Sequence, residues 1–216
     1  YAFSSSTSPN PTDPIIIHLR IKSTNQNMYN NFAKIFKKYD NRLLGPSFSY
    51  EDQGKNLGNL KLSSMMNKIA IIVDKSNPSF LESNNFYEYV NMTSNSIFCR
   101  LSRYYNIKYT PDITELIDYN KSNMTIALPD KGANPPNPSA FVMREMGCQF
   151  IGMRYQIVDG NVEESDIFFD EAGSAFVLKP LNLRHVPIVL ETPPEQNPEN
   201  SYATKTYETD YYSVNV

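Results

Sequence analysis

What most constrains this chain is an alternation. Short apolar runs, mostly β-branched, recur at 14–21, 68–73, 124–128 and 148–156, and they are separated by stretches with a helical repeat or with Pro and Gly punctuation. Such runs have the length of buried strands and are far too short to span a bilayer. Strands that alternate with helices form a parallel sheet, because parallel pairs need long crossovers and cover on both faces. The expected fold class is therefore α/β, with five or six strands and helices on the outer face.

The intervening segments fit this layout. Thr24 is placed to cap a helix over 25–39. Within it Phe32, Ile35 and Phe36 recur at helical spacing, and Lys34, Lys37 and Lys38 lie near the C-terminal end, where the macrodipole favours cations. Residues 42–58 read as a loop, 60–66 as a short helix, 76–92 as a polar inserted linker, and 96–104 as a weak strand or helix start. Pro111 introduces a helix at Asp112, with Ile113, Leu116 and Ile117 on one face. Three prolines and a glycine forbid regular structure over 130–138. Beyond it, 139–146 reads as a short helix, Asp159-Gly160-Asn161 as a turn and 175–178 as a last strand. Residues 1–13 read as an extended arm. The tail from Thr192, with Tyr202, Tyr207, Tyr211 and Tyr212, has too little aliphatic content for a core of its own.

Composition narrows the function. A chain of 216 residues is one domain with tails. A net charge of -3 gives no global pull toward nucleic acid or an anionic membrane. Because the chain opens on Tyr1, the lack of an apolar leader near its start says little about compartment: the location is left open, with an intracellular one favoured and association with a membrane periphery or a large assembly as a further option. Cys99 and Cys148 form neither a disulfide framework nor a metal cluster and are expected to be buried thiols. His18 lies inside an apolar strand, as a core or barrel-end histidine, and His185 is expected at the surface; set so far apart, they make no metal motif. Sequons at Asn91, Asn120 and Asn123 are expected by chance in so Asn-rich a chain. Glu163, Glu164, Asp166, Asp170 and Glu171 read as a solvated loop face. No phosphate loop, nucleophile elbow or zinc spacing is present.

One segment is more specific. Gly147-Cys148-Gln149 opens an apolar strand running to Gln156, and Gly173, Leu178-Lys179-Pro180 and Arg184 follow. Their order and spacing resemble the closing segment of the eukaryotic phosphoinositide-specific phospholipase C barrel, its Y half. Upstream, Pro14 to Arg20 resembles the fourth barrel strand of that family. Asn41-Arg42-Leu43-Leu44, the 62–73 segment, Asp118-Tyr119-Asn120-Lys121 and the loop 129–138 resemble later landmarks. The resemblance covers roughly 14–185. It implies a partial, half TIM-type βα barrel of the phospholipase-C-like phosphodiesterase superfamily with extended arms. The implied division is an N-terminal arm 1–13, the end of an X-like region 14–75, an X/Y-linker-like insert 76–94, a Y-like region 95–191 and a C-terminal arm 192–216. The first half of the barrel, with both family histidines and most calcium ligands, is expected to lie outside this chain.

The resemblance also implies chemistry. The family cleaves a lipid phosphodiester with a His pair for proton transfer and calcium for charge stabilisation. At the matching positions most of these groups are replaced. The calcium-ligating Glu falls on Arg20, the phosphate-binding lysines near Ile72 and Asp74, and the phosphate-binding Ser on Ala133 or Asn134. The phosphate-binding Arg falls on Ile167 and the ring-stacking Tyr on Phe176. The remaining head-group contacts would be Arg20, Lys75, Lys131, Arg154, Phe176 and Lys179. The reading implied is a pseudoenzyme half barrel that serves as a structural or interaction subunit, with no cofactor. Its partners would be protein subunits, including a chain carrying the missing barrel half, and neither nucleic acid nor a transmembrane segment is expected. One alternative is the Y-type half of an active calcium-dependent enzyme whose X half lies upstream or in another chain. Another is a non-catalytic module for phosphoinositide or a membrane surface.

Overall fold

The structure, a computed structural model, describes residues 10–49, 57, 60–188 and 204–216. It divides into two compact units, Tyr1–His185 and Val186–Val216.

Among its described residues the larger unit holds six strands, every pair of them parallel. β1 (Ile15–Leu19), β2 (Ile69–Asp74) and β3 (Met92–Ser94) form one sheet in chain order, with Ile15 opposite Ile69 and Asp74 opposite Ser94. β4 (Cys99–Arg103), β5 (Met124–Leu128) and β6 (Phe150–Ile151) form a second, also in chain order. β1, β3, β4 and β6 each pair on one side only, and no ladder closes the two sheets into a barrel among the described residues. The helices are α1 (Gln26–Lys38), α2 (Asn84–Tyr87), α3 (Tyr104–Lys108), α4 (Ile113–Ser122), α5 (Ala140–Glu145) and α6 (Gly160–Ala172).

Strand alternation builds the cores. In β2, Ala70 and Ile72 join Met92, Cys99, Met124 and Ile126 from the other strands in one cluster. Ile71 and Val73 point the other way, onto Tyr29 and Ala33 of α1 and Phe86 of α2. Both faces of β2 are therefore buried, which is why its sequence reads as a continuous apolar run. A third cluster joins Ile107, Leu116, Ala127, Met143 and Cys148. The two cysteines are free and buried, as expected.

Several local expectations change. The cap of α1 is Asn25, whose side chain accepts from the Asn27 N–H, rather than Thr24. Residues 60–66 hold only a 3-10 turn, Leu62–Ser64. Residues 76–92 are folded, not a loose polar linker: a 3-10 turn (Pro78–Glu82) and α2 bury Phe80, Phe86 and Val90 completely. Asp159-Gly160-Asn161 is the start of α6 rather than a turn between strands, because the Asp159 carboxylate accepts from the N–H groups of Asn161 and Val162. The acidic set lies on this helix.

β6 ends after two residues. Gly152 follows it, with its N–H on the Ala127 carbonyl at 2.8 Å, and a Cβ there would lie 3.0 Å from that same oxygen. Residues 175–178 are not a strand. Instead Ser174 Oγ and the Ala175 N–H donate to Asp13 Oδ2 at 2.8 and 2.9 Å, tying this segment to the chain just before β1.

The smaller unit contains an antiparallel hairpin, β7 (Thr206–Glu208) with β8 (Ser213–Asn215). The C-terminal arm thus has local structure where an extended chain was expected. Tyr207, Tyr211 and Tyr212 are exposed on it, while Tyr202 and residues 1–9 lie outside the described residues.

Candidate functional site

The C-terminal ends of β1, β2 and β3 carry a polar cluster. Asp74 closes β2, with its side chain only 1% exposed. Its Oδ1 accepts from the Ser76 N–H at 2.9 Å and from Asn95 Nδ2 at 2.7 Å. Asn95 follows β3 in the left-handed region, at φ 58°, a conformation Asn tolerates better than most residues. Arg20, just past β1, places Nε 3.2 Å from Asp74 Oδ2, an ion pair that lacks hydrogen-bond alignment. Burial alone would raise the Asp74 carboxyl. The bonds from Ser76 and Asn95 and the Arg20 charge outweigh it and hold the group below the ordinary carboxylate value.

His18 of β1 belongs to the same end. Its Nε2 lies 2.8 Å from Ser94 Oγ, and Ser94 is fully buried. Burial depresses the imidazole below its ordinary value. Asp74 opposes that shift and Arg20 adds to it. His18 is thus a satisfied strand-end histidine. The cluster neutralises itself: one carboxylate, one guanidinium and a neutral imidazole bonded to a hydroxyl.

Among the described residues no hydrogen bond or ion pair joins any two of the six proposed head-group residues. Arg20 is committed to Asp74. Lys75 and Lys131 are exposed. Arg154 is held by its own loop: its N–H donates to Asn137 Oδ1 at 2.6 Å and its guanidinium to the Pro135 carbonyl. Phe176 sits in the irregular segment after α6, its N–H on Ser174 Oγ at 3.1 Å. Lys179 lies elsewhere, against the end of α4: its Nζ donates to the Asn120 carbonyl at 2.8 Å. Burial pulls this amine down to about 8, and burial pushes the nearby Cys148 thiol up to about 12, so that thiol is inert near neutral pH.

Two sequons are spent on structure. Asn91 Oδ1 accepts from the Ile71 N–H at 2.8 Å, and buried Asn120 receives Thr125 Oγ1 at 2.6 Å while donating to the Met146 carbonyl at 2.8 Å. Among the described residues no three His, Cys, Asp or Glu side chains are grouped to hold a metal, and no helix is long and apolar enough to cross a membrane.

His18 is legible in the sequence, but its partner Ser94 and the Asn95 that donates to Asp74 are not, and Asp74 enters only as the residue at a lysine position of the resembled family. An acidic residue ending a fully apolar strand was the available signal, since a carboxylate there must be satisfied.

The cluster sets a pH dependence. His18 binds its proton more weakly in the fold than in the unfolded chain, so the unfolded state takes up the extra proton as pH falls below about 6.5. Stability should therefore drop below that pH, and again below about 4 as Asp74 protonates. Thermal unfolding between pH 8 and pH 5 should show the first loss, and His18→Gln should flatten it. An unchanged slope would exclude His18 as its source.

No family model matches this chain, and no curated protein matches it either. Among solved structures, the crystal structure of the squid L. pealei PLC21 is similar, at a TM-score of 0.63 and 16% identity. The match covers 83% of this chain and 28% of that one. The fold is therefore mixed α/β, with parallel strands alternating with helices, and it resembles part of a phospholipase C. The chain spans little more than a quarter of the length of the protein it matches.

Proposed function

We propose that this chain is a phospholipase-C-like half barrel with no catalysis of its own, and that it serves as a structural or interaction subunit of a larger assembly. The supporting observation is Arg20. The resemblance places a calcium-ligating Glu at this position, and here a guanidinium stands 3.2 Å from the buried carboxylate of Asp74. A fixed cation at that point repels a metal ion, and its own charge is answered by the buried carboxylate. A fold kept without its charged site fits a binding or scaffolding role, since function resides in sites and not in folds.

The test is hydrolysis. The chain, supplied with calcium and vesicles containing phosphatidylinositol bisphosphate, should release no inositol trisphosphate above a chain-free blank. Loss of one acid–base group alone costs about 10²- to 10⁴-fold. Calcium-dependent release that a single substitution in this chain abolishes would overturn the reading.

A second reading has one observation in its favour: among the described residues no ladder joins β1 to β6, the first and last strands of the larger unit, as in a barrel left incomplete. On this reading, 14–75 and 95–191 complete an active barrel with an X half placed upstream or in a companion chain, and 76–94 stands where the family carries its linker. Activity that appears only when such a half is added, and calcium binding with it, would favour this reading over the first.

A further inference from the structure

Two exposed helix faces in the larger unit are complementary in shape and charge. On α6, Ile167 is 57% exposed. Glu163, Glu164, Asp170 and Glu171 lie three or four residues to either side of it, so all four share its face. Glu164 is paired with Arg144, whose guanidinium also covers the Phe168 ring. No cation among the described residues pairs with the other three. Asp170 and Glu171 stand in the last turn, where the helix dipole is already negative and no basic side chain offsets it. A face that repels itself in this way is at odds with its own helix unless something cationic covers it.

The matching surface is on α1. Met28, Phe32 and Ile35 form the apolar part of a shallow groove of about 310 Å³, completed by Asn25, Asn27 and Asn31. Ile35 is 51% exposed. Lys34, next to Ile35 in sequence, and Lys38, one turn on, lie to one side of it, exposed and without an ion-pair partner among the described residues. An apolar knob ringed by carboxylates thus has its counterpart in an apolar groove flanked by ammonium groups.

We propose that two copies of this chain associate, with Ile167 of α6 in one copy seated in the α1 groove of the other and Asp170 and Glu171 facing Lys34 and Lys38. The contact joins two different surfaces, so it closes into a ring or propagates. The inference rests on reading the chain as an interaction subunit and names one partner for it. Hydrolysis assays decide that reading independently of oligomeric state.

Sedimentation velocity on the full chain tests the contact. Association should be strong at low salt and weaken as salt screens the facing charges. The double substitution Asp170→Lys with Glu171→Lys should weaken it by roughly tenfold or more, since attraction becomes repulsion. Because those changes improve the match to the helix dipole, the variant should melt no lower than the native chain, and loss of association is then not loss of fold. Lys34→Glu with Lys38→Glu should weaken it similarly, and mixing the two variants should restore it. A native chain that sediments as a monomer at every concentration in low salt would overturn the proposal. So would association that survives both reversals, or a mixture that stays apart.

Discussion

Replacing Phe86 by alanine should cost about 3–5 kcal/mol of folding stability, the range for deleting a fully buried aromatic ring. Phe86 has no exposed surface. Its ring centroid lies 5.3 Å from that of Tyr29, 6.1 Å from Phe32 and 6.0 Å from Phe36, so one ring links α2 to three positions on α1. Each such pair contributes about 0.5–1.5 kcal/mol beyond simple burial. Collapse cannot fill the space cheaply, because Ile71 and Val73 beneath it are held in the sheet. Urea unfolding should show the midpoint falling with little change in slope. Phe141→Ala, at a ring 58% exposed, is the control and should stay within about 0.5 kcal/mol. A Phe86 variant that loses less than about 1 kcal/mol would mean that 78–90 is a detachable insert after all.

That outcome bears on what the sequence made legible. β1, β2 and β5 are visible as β-branched runs, and α4 as a capped amphipathic segment, because each signal lies within a few residues of the element it specifies. The 78–90 stretch is harder. Phe80, Phe86 and Val90 are its anchors, but they fit no single period, since a 3-10 turn and a one-turn helix place them in succession. Polar neighbours then dominate any reading by composition. α6 was hidden by Asp159-Gly160-Asn161, which is a turn signal in isolation and a helix start only when the residues after it continue as helix. Gly152, just past β6, lies close against the Ala127 carbonyl of another strand, a contact that leaves no local trace in the sequence. The polar cluster shows the same limit. Asp74 takes its partners from Asn95, 21 positions away, and from Arg20 on the neighbouring strand. Lys179, aligned with the rest of the proposed head-group set by resemblance, in fact donates to a carbonyl at the end of α4. The solved structure agrees with the resemblance at the level of an α/β fold similar to part of a phospholipase C, but the placement of single side chains required the tertiary structure.

Asp74→Ala should cost about 3 kcal/mol, because it removes a buried charged acceptor and strands its donors. The Ser76 N–H and Asn95 Nδ2 lose their partner, and Asn95 loses the bond that accompanies its left-handed backbone. The Arg20 pair adds little, about 0–1 kcal/mol, since that guanidinium is 48% exposed and water can take it over. The change should also reach His18. The Asp74 charge raises the imidazole against the effect of burial, so without it the histidine should titrate at still lower pH, readable by NMR of its ring protons. Calcium should leave the melting temperature of the native chain unchanged, since Oδ1 is bonded by Ser76 and Asn95 and the Arg20 guanidinium stands against Oδ2. Arg20→Glu reverses that logic: it sets a second carboxylate beside Asp74, which should destabilise the chain in chelator and make the loss partly recoverable by calcium. If Asp74→Ala proves nearly neutral while calcium stabilises the native chain, then Asp74 is retained for a ligand and not for the fold. The reading of this strand end as a self-neutralised remnant would then fail, and the calcium-dependent alternative would take its place.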